Sequence, residues 1–458
     1  MSAATALKIP HPIILLTAAV VVAAALTWVL PAGEYERRED PATGRRVAVA
    51  GTYHQVPRSP VGPLAVAVAL PRGLVAGADV VAVVLFVAGA WVVVDRLGTL
   101  PAIVSALVAR FASRGLWIIP IVSGFFGVMG ALENMQEEII PLVPALLVLG
   151  QGIGVEPVVV VAMSAGAAIV GSAFGPTNPF QAGIALRLAQ LPPLGQGALR
   201  LAMFIAGLTI WIALTVRYAV RTRAFEPLPV ARGHDREDGA APHASAAVDR
   251  RHLLVFAIAL APMAAYVYGA LALNWGLNEL SGAFLIGGVA AGLVGGLTLG
   301  QTVAVYLEGM QAVLPAALLV GVARSISLVL EDGRVVDTLL HALASPLARV
   351  PAMVSALLMI PFHGLVHVAV PSVSGQAVLT MPIFVPVADV LGFTREVTVL
   401  AYQTGAGLTE LLTPTNGALM AVLFAAGAPF QRWLKFAVPA ALVLALVGVA
   451  AIAFVLRM

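Results

Sequence analysis

The 458 residues include no cysteine, which excludes disulfide bonds, thiolate metal ligands and a cysteine nucleophile. Charged side chains are also scarce: they make up 11% of the chain, whereas a soluble domain carries about 25%. Lysine occurs only at Lys8 and Lys435, and no basic patch with interleaved aromatic residues is present, which argues against nucleic-acid binding. Hydrophobic residues account for 60% of the chain, and the mean hydropathy is +0.97. We therefore expect a polytopic membrane protein.

Apolar stretches long enough to cross a bilayer recur along the chain, since about 20 apolar residues span the hydrocarbon layer as a helix. The first stretch, at 13–30, is longer than the apolar region of a signal peptide, and no small-residue cleavage site directly follows it. We interpret it as a retained transmembrane helix, followed by a polar extracytoplasmic loop, so that these two features together occupy 1–72. The stretch 221–251 is the most polar part of the chain and predicts a cytoplasmic linker.

Landmark residues of the first half recur in the same order in the second half, which indicates an internal repeat. The matched pairs are Gly89 with Gly321, Gly98 with Gly333, Pro144 with Pro386, Gly150 with Gly392, and Pro176 with Pro414. Repeat 1 is assigned to 73–220 and repeat 2 to 305–458. In each repeat we expect a membrane span, a short amphipathic arm, an apolar hairpin with a polar tip, a membrane span interrupted at Pro-Thr-Asn, and a final membrane span.

The predicted hairpins cover 116–150 and 351–392, the broken helices cover 155–189 and 396–426, and two scaffold helices lie within 252–304. Each hairpin either enters and leaves the membrane on one side or crosses it twice. In both cases the chain returns to the side from which the hairpin started. The linker is therefore predicted on the same side as the N-terminus, and the repeats enter the membrane from opposite faces, as in inverted-topology repeats. We expect this side to be the cytoplasm and the membrane to be the inner (plasma) membrane, which the arginine bias supports only weakly.

The tripeptide Pro-Thr-Asn interrupts apolar stretches at 176–178 and at 414–416. Unpaired backbone groups are costly in hydrocarbon, and proline removes a hydrogen-bond donor, so such breaks persist only where protein or a water-filled cavity satisfies the freed groups. Helix N-termini at a break offer amides to anions, whereas free carbonyl, Thr and Asn oxygens suit Na⁺. Two matched breaks therefore predict the substrate and ion sites of a secondary transporter.

The tips of the predicted hairpins carry further polar residues. The first tip holds Glu133, Asn134, Gln136, Glu137 and Glu138, and the second holds Pro371, Ser372, Ser374, Gly375 and Gln376. A carboxylate at membrane depth costs about 2.5–3.5 kcal/mol, so the three glutamates of the first tip predict a functional site. Arg324 lies inside an apolar span and is a candidate partner for one of these glutamates or for a substrate carboxylate.

Plainer interpretations of these features remain open. A proline in a transmembrane helix is often only a kink, the glutamates can lie in a solvated loop, and Arg324 can reach the interface or bind carbonyls. His363 and His367 have the spacing of a zinc pair but lack the HExxH glutamate, and Ser374 has no evident catalytic base. We expect no enzyme, no cofactor and no metal centre, and we retain a membrane-embedded hydrolase and a passive channel as alternatives.

Several segments together resemble the YfcC family of membrane transporters. They include QEEIIPLVPALLVLG at 136–150, NPFQAGIALRLAQLPPLGQGALRL at 178–201 and VPSVSGQAVLTMPIFVPVADVLG at 370–392. The likeness covers nearly the whole chain outside 221–251. This family is related to basic amino acid antiporters and anaerobic four-carbon dicarboxylate carriers, within the ion transporter superfamily. The resemblance implies a homodimer with a scaffold part and a mobile transport part, elevator-type movement, and exchange or cotransport with Na⁺ or H⁺.

The resemblance also implies which residues form the site. These are Glu137, Glu138, Asn178, Pro179, Pro371, Ser372, Ser374, Gly375, Gln376, Gln403, Pro414 and Thr415. The family pattern before the second break is similar to Q-x-G-D-G-x-T-N, whereas this chain has QTGAGLTE at 403–410. Ala406 replaces the acidic residue and Glu410 replaces the amide, so a negative charge is displaced by about one helical turn.

We thus expect an all-α polytopic membrane protein with the elevator-type fold of the ion transporter superfamily, with inverted-topology repeats, two re-entrant hairpins and two broken helices. Its expected function is secondary active transport of a small carboxylate-bearing solute, an amino acid or a dicarboxylate. The candidate substrate- and ion-binding residues are Glu133, Asn134, Glu137, Glu138, Pro176, Thr177, Asn178, Pro179, Ser372, Ser374, Gly375, Gln376, Gln403, Glu410, Thr413, Pro414, Thr415 and Asn416, with Arg324 as a charge partner. The acidic candidates weakly favour amino acids over dianions, and Na⁺ or H⁺ is the expected coupling ion.

Overall fold

The computed structural model describes residues 12–40, 45–100, 102–103, 106, 115–176, 178, 180–192, 195–222, 248–273, 275–347 and 349–457. Most of the expected amphipathic arm of repeat 1 and of the linker at 221–251 lies outside these residues. Thr177 and Pro179 of the candidate site also lie outside them, and the side chain of Glu133 is not described.

Helices dominate the described residues. In chain order they are α1 (Pro12–Val29), α2 (Pro63–Ala76), α3 (Ala78–Arg96), α4 (Ile118–Glu133), α5 (Val143–Gly152), α6 (Pro157–Phe174), α7 (Ala182–Leu188), α8 (Gly197–Thr222), α9 (Arg250–Ala272), α10 (Leu277–Val294), α11 (Leu299–Asp332), α12 (Val336–Leu347), α13 (Ala352–Ala369), α14 (Val373–Leu391), α15 (Arg395–Thr409), α16 (Gly417–Ala425) and α17 (Phe430–Val455). Two short 3-10 helices, Gly115–Trp117 and Glu137–Leu142, flank α4.

Eight of these helices are long and apolar enough to cross a membrane, judged by length and composition within the described residues. They are α3, α6, α8, α10, α11, α13, α14 and α17. The buried residues of most of these helices join one large hydrophobic cluster, so the core lies between the helices. The expectation of a polytopic, mostly helical membrane protein is confirmed in this respect.

The segment after α1 differs from the expected polar loop at 34–72. It forms two antiparallel two-stranded sheets, in which β1 (Gly33–Glu34) pairs with β4 (His54–Gln55) and β2 (Arg37–Asp40) pairs with β3 (Arg45–Ala48). Helix α2 then begins at Pro63, because proline is well suited to the first turn of a helix. The chain is mostly helical, as expected, with these short strands in addition, and the boundary expected at residue 72 falls inside α2.

Asp337 of α12 holds this stranded segment in place. One carboxylate oxygen of Asp337 accepts a hydrogen bond from the backbone N–H of Tyr35 at 2.9 Å, and the other accepts one from Arg37 Nη2 at 2.9 Å. Burial, together with the nearby Asp337 carboxylate, raises the pKa of Tyr35 to about 12.

The same order of elements occurs in both halves of the chain. α3, the α4–α5 pair, the α6–α7 pair and α8 are followed, after α9 and α10, by α11, the α13–α14 pair, the α15–α16 pair and α17. Helix α11 is a single helix of 34 residues, so the boundary expected at residue 304 falls inside it. Thr298 caps this helix by accepting a hydrogen bond from the backbone N–H of Gln301, which explains why it begins at Leu299.

Helices α4 and α6 cross with their backbones in contact, because glycine occupies the crossing point. A Cβ atom at Gly130 would lie 2.0 Å from the carbonyl oxygen of Ala168, and one at Gly171 would lie 1.9 Å from that of Gly127. No side chain larger than hydrogen fits at either position without a shift of backbone. This crossing places the C-terminal end of α4 beside the C-terminal end of α6, where the first Pro-Thr-Asn tripeptide lies.

Candidate functional site

Both Pro-Thr-Asn tripeptides lie between helices rather than within them. α6 ends at Phe174 and α7 begins at Ala182, whereas α15 ends at Thr409 and α16 begins at Gly417. Side chains satisfy several backbone groups that the second break leaves free. Trp433 Nε1 donates to the carbonyl of Leu411 at 2.7 Å, and Asn416 Oδ1 accepts from the backbone N–H of Leu419 at 3.1 Å. These bonds offset the cost of irregular backbone inside an apolar protein.

Asn178 organises the first break. Its Oδ1 accepts hydrogen bonds from the backbone N–H groups of Phe180 and Gln181, both at 2.9 Å. Its Nδ2 donates to the carbonyl of Gly130 at 3.0 Å and to Asn134 Oδ1 at 3.2 Å. Asn178 is fully buried, so this side chain links the break to the C-terminal end of α4 and to the first hairpin tip.

Gln403 supports the first break from the second repeat. Its Nε2 donates to the carbonyls of Ala173 and Gly175, at 3.4 and 3.3 Å, which lie at the C-terminal end of α6. Its Oε1 accepts a short hydrogen bond from Arg200 Nη1. Gln403 therefore positions backbone at the interface of the two repeats rather than facing open space.

Gln136 connects the first hairpin tip to the second break. Its Nε2 donates to Glu410 Oε2 at 2.6 Å, and its Oε1 accepts from Asn416 Nδ2 at 3.4 Å. The backbone N–H of Gln136 also donates to Glu138 Oε2 at 3.1 Å. The two Pro-Thr-Asn regions and the first tip thus belong to one polar network, although they are far apart in the sequence.

The second hairpin tip presents the N-terminal end of α14. Ser372 is the N-cap residue, and its Oγ accepts from the backbone N–H of Gly375 at 3.2 Å. Ser374 follows in the first turn of the helix and lines the cavity described below. Among the described residues, no hydrogen bond joins Ser374 to a histidine or a carboxylate, so the catalytic base of a serine hydrolase is not found there.

These elements surround a cavity of about 410 Å³, within the range of about 300–1,000 Å³ that is typical of small-molecule sites. The polar residues that line it are Asp79, Asn134, Gln136, Glu137, Glu138, Tyr266, Trp275, Arg324, Ser327, Ser372, Ser374, Glu410, Thr415 and Asn416. The lining therefore includes residues from both hairpin tips, the second break, α3 and α11.

Charges of both signs meet in the cavity. Asp79, Glu137, Glu138 and Glu410 contribute carboxyl groups, and Arg324 on α11 contributes a guanidinium. Arg324 is exposed and has no hydrogen bond or salt bridge among the described residues, although its charge interacts with that of Glu137. The N-terminal turns of α14 and α16 reach the same space through Ser372, Ser374, Asn416 and Gly417. Free amides at helix N-termini favour anions.

Other predicted residues lie outside the cavity lining. Pro176, Asn178, Gly375, Gln376, Gln403, Thr413 and Pro414 are described but do not line it. Thr413 shapes the second break instead, because its Oγ1 accepts from the backbone N–H of Thr415 at 3.2 Å and lies 2.7 Å from Thr415 Oγ1. Most of these residues therefore shape the backbone of the site and do not face its space.

The sequence left Asp79, Tyr266, Trp275 and His367 out of the candidate set. Asp79 lies in the first turn of α3, where a carboxyl group in an apolar stretch was a detectable signal. His367 was considered only as a zinc ligand, and within the described residues no group of three or more His, Asp or Glu side chains is placed to hold a metal ion. Its Nδ1 instead lies 2.8 Å from Gln376 Oε1.

Comparison with known proteins places this architecture among membrane transporters. Residues 9–456 match the family model of DcuC, described as C4-dicarboxylate anaerobic carrier. YfcC of Escherichia coli (strain K12), provisionally named a basic amino acid antiporter, is 30% identical over 77% of this chain and 72% of its own length. An uncharacterised protein of Haemophilus influenzae is 26% identical over 96% of this chain and 95% of its own length.

Two solved transporter structures also resemble this fold across most of the chain. YdaH of Alcanivorax borkumensis has a TM-score of 0.43 and 17% identity, with 97% of this chain and 98% of that chain covered. MtrF of Neisseria gonorrhoeae, titled an antimetabolite efflux pump, has a TM-score of 0.43 and 16% identity, with 98% and 96% covered. The match of the family model over nearly the whole chain decides the assignment. The chain belongs to the DcuC family of membrane carriers, and YfcC is a homologue of this chain.

Proposed function

We propose that this protein is a secondary active transporter of a small carboxylate-bearing solute, which binds in the cavity between the two hairpin tips and the second break. The observation that carries the proposal is the meeting of two helix N-termini and the Arg324 guanidinium, which pairs with no described residue, in one cavity of about 410 Å³. Alternating access of the elevator type, with ion coupling or exchange, is the mechanism we propose for it.

One part of the cavity is suited to a carboxylate. The N-terminal turns of α14 and α16 direct partial positive charge toward it. Arg324 adds a full positive charge and a planar set of donors that can form two parallel hydrogen bonds to a carboxylate.

The remaining charges favour a solute that also carries an amino group. Four carboxyl groups line the cavity against one guanidinium among the described lining residues. A dianion would bring two further negative charges next to these groups, whereas an amino group would reduce their mutual repulsion. We therefore propose an amino acid, zwitterionic or cationic, as the solute class, in line with the name given to YfcC.

A dicarboxylate is the second candidate, because the family model is described by that substrate class. Both classes share the carboxylate that Arg324 and the helix ends would bind, and they differ in whether an amino group or a second carboxylate meets the carboxyl groups of the cavity lining. The proposal also includes a homodimer in the inner membrane with a cytoplasmic N-terminus and linker. These features rest on the family resemblance and the charge pattern.

Uptake into proteoliposomes separates the two solute classes. We expect uptake of radiolabelled arginine or another amino acid, and we expect Glu137→Gln and Glu138→Gln to reduce it about tenfold or more, because a hydrogen bond to a charged group contributes about 1.5–3 kcal/mol. Glu308→Gln is the matched control, since Glu308 lies on α11 outside the cavity, where it pairs with Arg96.

Three results would contradict parts of this proposal. Uptake of succinate or fumarate alone, unaffected by Glu137→Gln and Glu138→Gln, would remove the role of these acids in recognising an amino group. Flux that does not saturate and shows no counterflow would indicate a channel. Loss of a hydrolytic activity in Ser374→Ala would restore the hydrolase alternative.

A further inference from the structure

A buried row of side chains leads from the second hairpin to the wall of the cavity. His363 and His367 lie on α13, Gln376 lies on α14, and Glu410 lies at the second break. The first three are fully buried, and Glu410 is 5% exposed. Glu410 also lines the cavity, so the row joins the protein interior to the space where we propose that the solute binds.

The orientation of the Gln376 amide is determined by its surroundings. Gln376 Nε2 lies 2.8 Å from the backbone carbonyl of His363, which can only accept a hydrogen bond. If the amide were turned around, two acceptor oxygens would face each other at this distance. Gln376 Oε1 therefore points to His367 Nδ1, 2.8 Å away.

This orientation determines the tautomer of His367. Because Gln376 Oε1 is an acceptor, His367 Nδ1 must carry a proton and donate it. In the neutral ring Nε2 then has no proton and presents a lone pair. Nε2 is buried, has no hydrogen-bond partner in the part of the chain that the structure describes, and lies 3.7 Å from Glu410 Oε1.

An ionised carboxylate and a nitrogen lone pair repel each other at a buried position, unless a proton lies between them. One proton relieves the repulsion on either atom: it makes His367 an imidazolium beside a carboxylate, or it makes Glu410 a neutral acid whose hydroxyl faces Nε2. The other oxygen of Glu410 already accepts from Gln136 Nε2 at 2.6 Å, which leaves Oε1 as the oxygen facing the ring.

We propose that the pair formed by His367 and Glu410 is the site that binds and releases a coupling proton. This inference rests on the proposed transport function and assigns its coupling ion. A positively charged solute group next to Glu410 would stabilise the ionised carboxylate, so the proton would leave to the water on the side to which the cavity is open. Amino acid and proton would then occupy the site alternately, as exchange requires.

Other ionisable groups surround this pair. The charge of Glu137, from the 3-10 segment of the first hairpin tip, interacts with Glu410, and Arg324 and Asp79 interact with Glu137 in turn. Tyr402 on α15 also interacts with Glu410, but its hydroxyl donates to the carbonyl of Val373 at 2.5 Å. His363 packs on Phe384 and Tyr402. Of these groups, only His367 directs an unpartnered ring nitrogen at the Glu410 carboxyl group.

Proton movement in proteoliposomes tests the coupling role. With a pH-sensitive dye inside the vesicles, uptake of arginine or succinate by the wild type is expected to be accompanied by proton movement. Glu410→Gln removes the carboxyl group that would bind the proton, so the number of protons moved per solute taken up is expected to fall at least tenfold. His367→Gln is expected to lose proton movement as well. His341→Gln is the control, because His341 is an exposed histidine of α12 outside the cavity.

A spectroscopic measurement tests the proton site without transport. The protein is labelled with ¹⁵N-histidine, and the NMR signals that disappear in His367→Gln are assigned to His367. We expect these signals to show that the neutral His367 ring carries its proton on Nδ1. A signal of the Nε2–H tautomer would overturn the proposal, as would unchanged proton movement in Glu410→Gln or uptake driven by Na⁺ alone. If the wild type took up neither arginine nor succinate, the proposed function and the coupling role would both fail. The tautomer would still be decided by the spectrum.

Discussion

Replacement of Arg324 by glutamine is expected to weaken solute binding roughly ten- to hundredfold. Arg324 is the guanidinium in the cavity lining that has no hydrogen bond or salt bridge among the described residues. A charge-assisted hydrogen bond contributes about 1.5–3 kcal/mol, and each 1.4 kcal/mol changes an equilibrium constant about tenfold. Arg324→Lys retains the charge but not the planar pair of donors, so we expect an intermediate loss.

Binding is measured by the increase in thermal stability with increasing solute concentration, since a ligand that binds only the folded state stabilises it by mass action. Arg96→Gln is the matched control, because Arg96 ends α3 and pairs with Glu308 outside the cavity. Binding that is unchanged in Arg324→Gln and in Arg96→Gln would show that the carboxylate is held elsewhere, and would remove the observation on which the proposed function rests.

Replacement of Gly171 by alanine is expected to have the largest effect on folding. A single methyl group at this position would lie 1.9 Å from the carbonyl oxygen of Gly127, inside the crossing of α4 and α6. Since the clash is with backbone, the two helices must separate, which costs about 1–3 kcal/mol or more. The gain from replacing glycine by alanine in a helix, about 1 kcal/mol, is too small to offset this cost.

The measurement is the apparent melting temperature of purified protein, together with the fraction that elutes as a single folded species. Gly124→Ala is the control, because Gly124 lies on α4, the other helix of the crossing, and a Cβ there would meet no atom within 4 Å. We expect Gly124→Ala to be neutral or slightly stabilising. Equal stability of both variants would contradict the close crossing and, with it, the position of Asn134 beside Asn178.

Much of the architecture could be predicted from local sequence. Apolar stretches of about 20 residues separated by polar segments predict membrane-crossing helices whatever they pack against. Proline and asparagine in two apolar stretches predicted interruptions, because these residues act on the backbone of their own segment. The structure ends α6 at Phe174 and begins α16 at Gly417, next to these tripeptides. The strands at 33–55 were missed, because they are short and highly charged rather than apolar.

The composition of the cavity could be predicted only in part. Glu137, Ser372 and Asn416 were recognised because polar groups in apolar sequence are conspicuous. Gln136 bridging to Glu410 was not predicted, because no local pattern relates residues 274 positions apart. For the same reason Gln403 was assigned to the substrate site, although its amide donates hydrogen bonds to backbone carbonyls at the C-terminal end of α6.

The sequence by itself determined that the chain forms apolar helices long enough to cross a bilayer and that two of the apolar stretches are interrupted. Hydropathy and backbone geometry act over short stretches, so local sequence is enough to predict both features. Only the tertiary structure decided that Arg324 is unpaired, that Gln376 sets the tautomer of His367, and that Glu410 faces both that ring and the cavity. Hydrogen bonding and charge pairing depend on distances of a few ångströms, and packing between distant segments sets those distances.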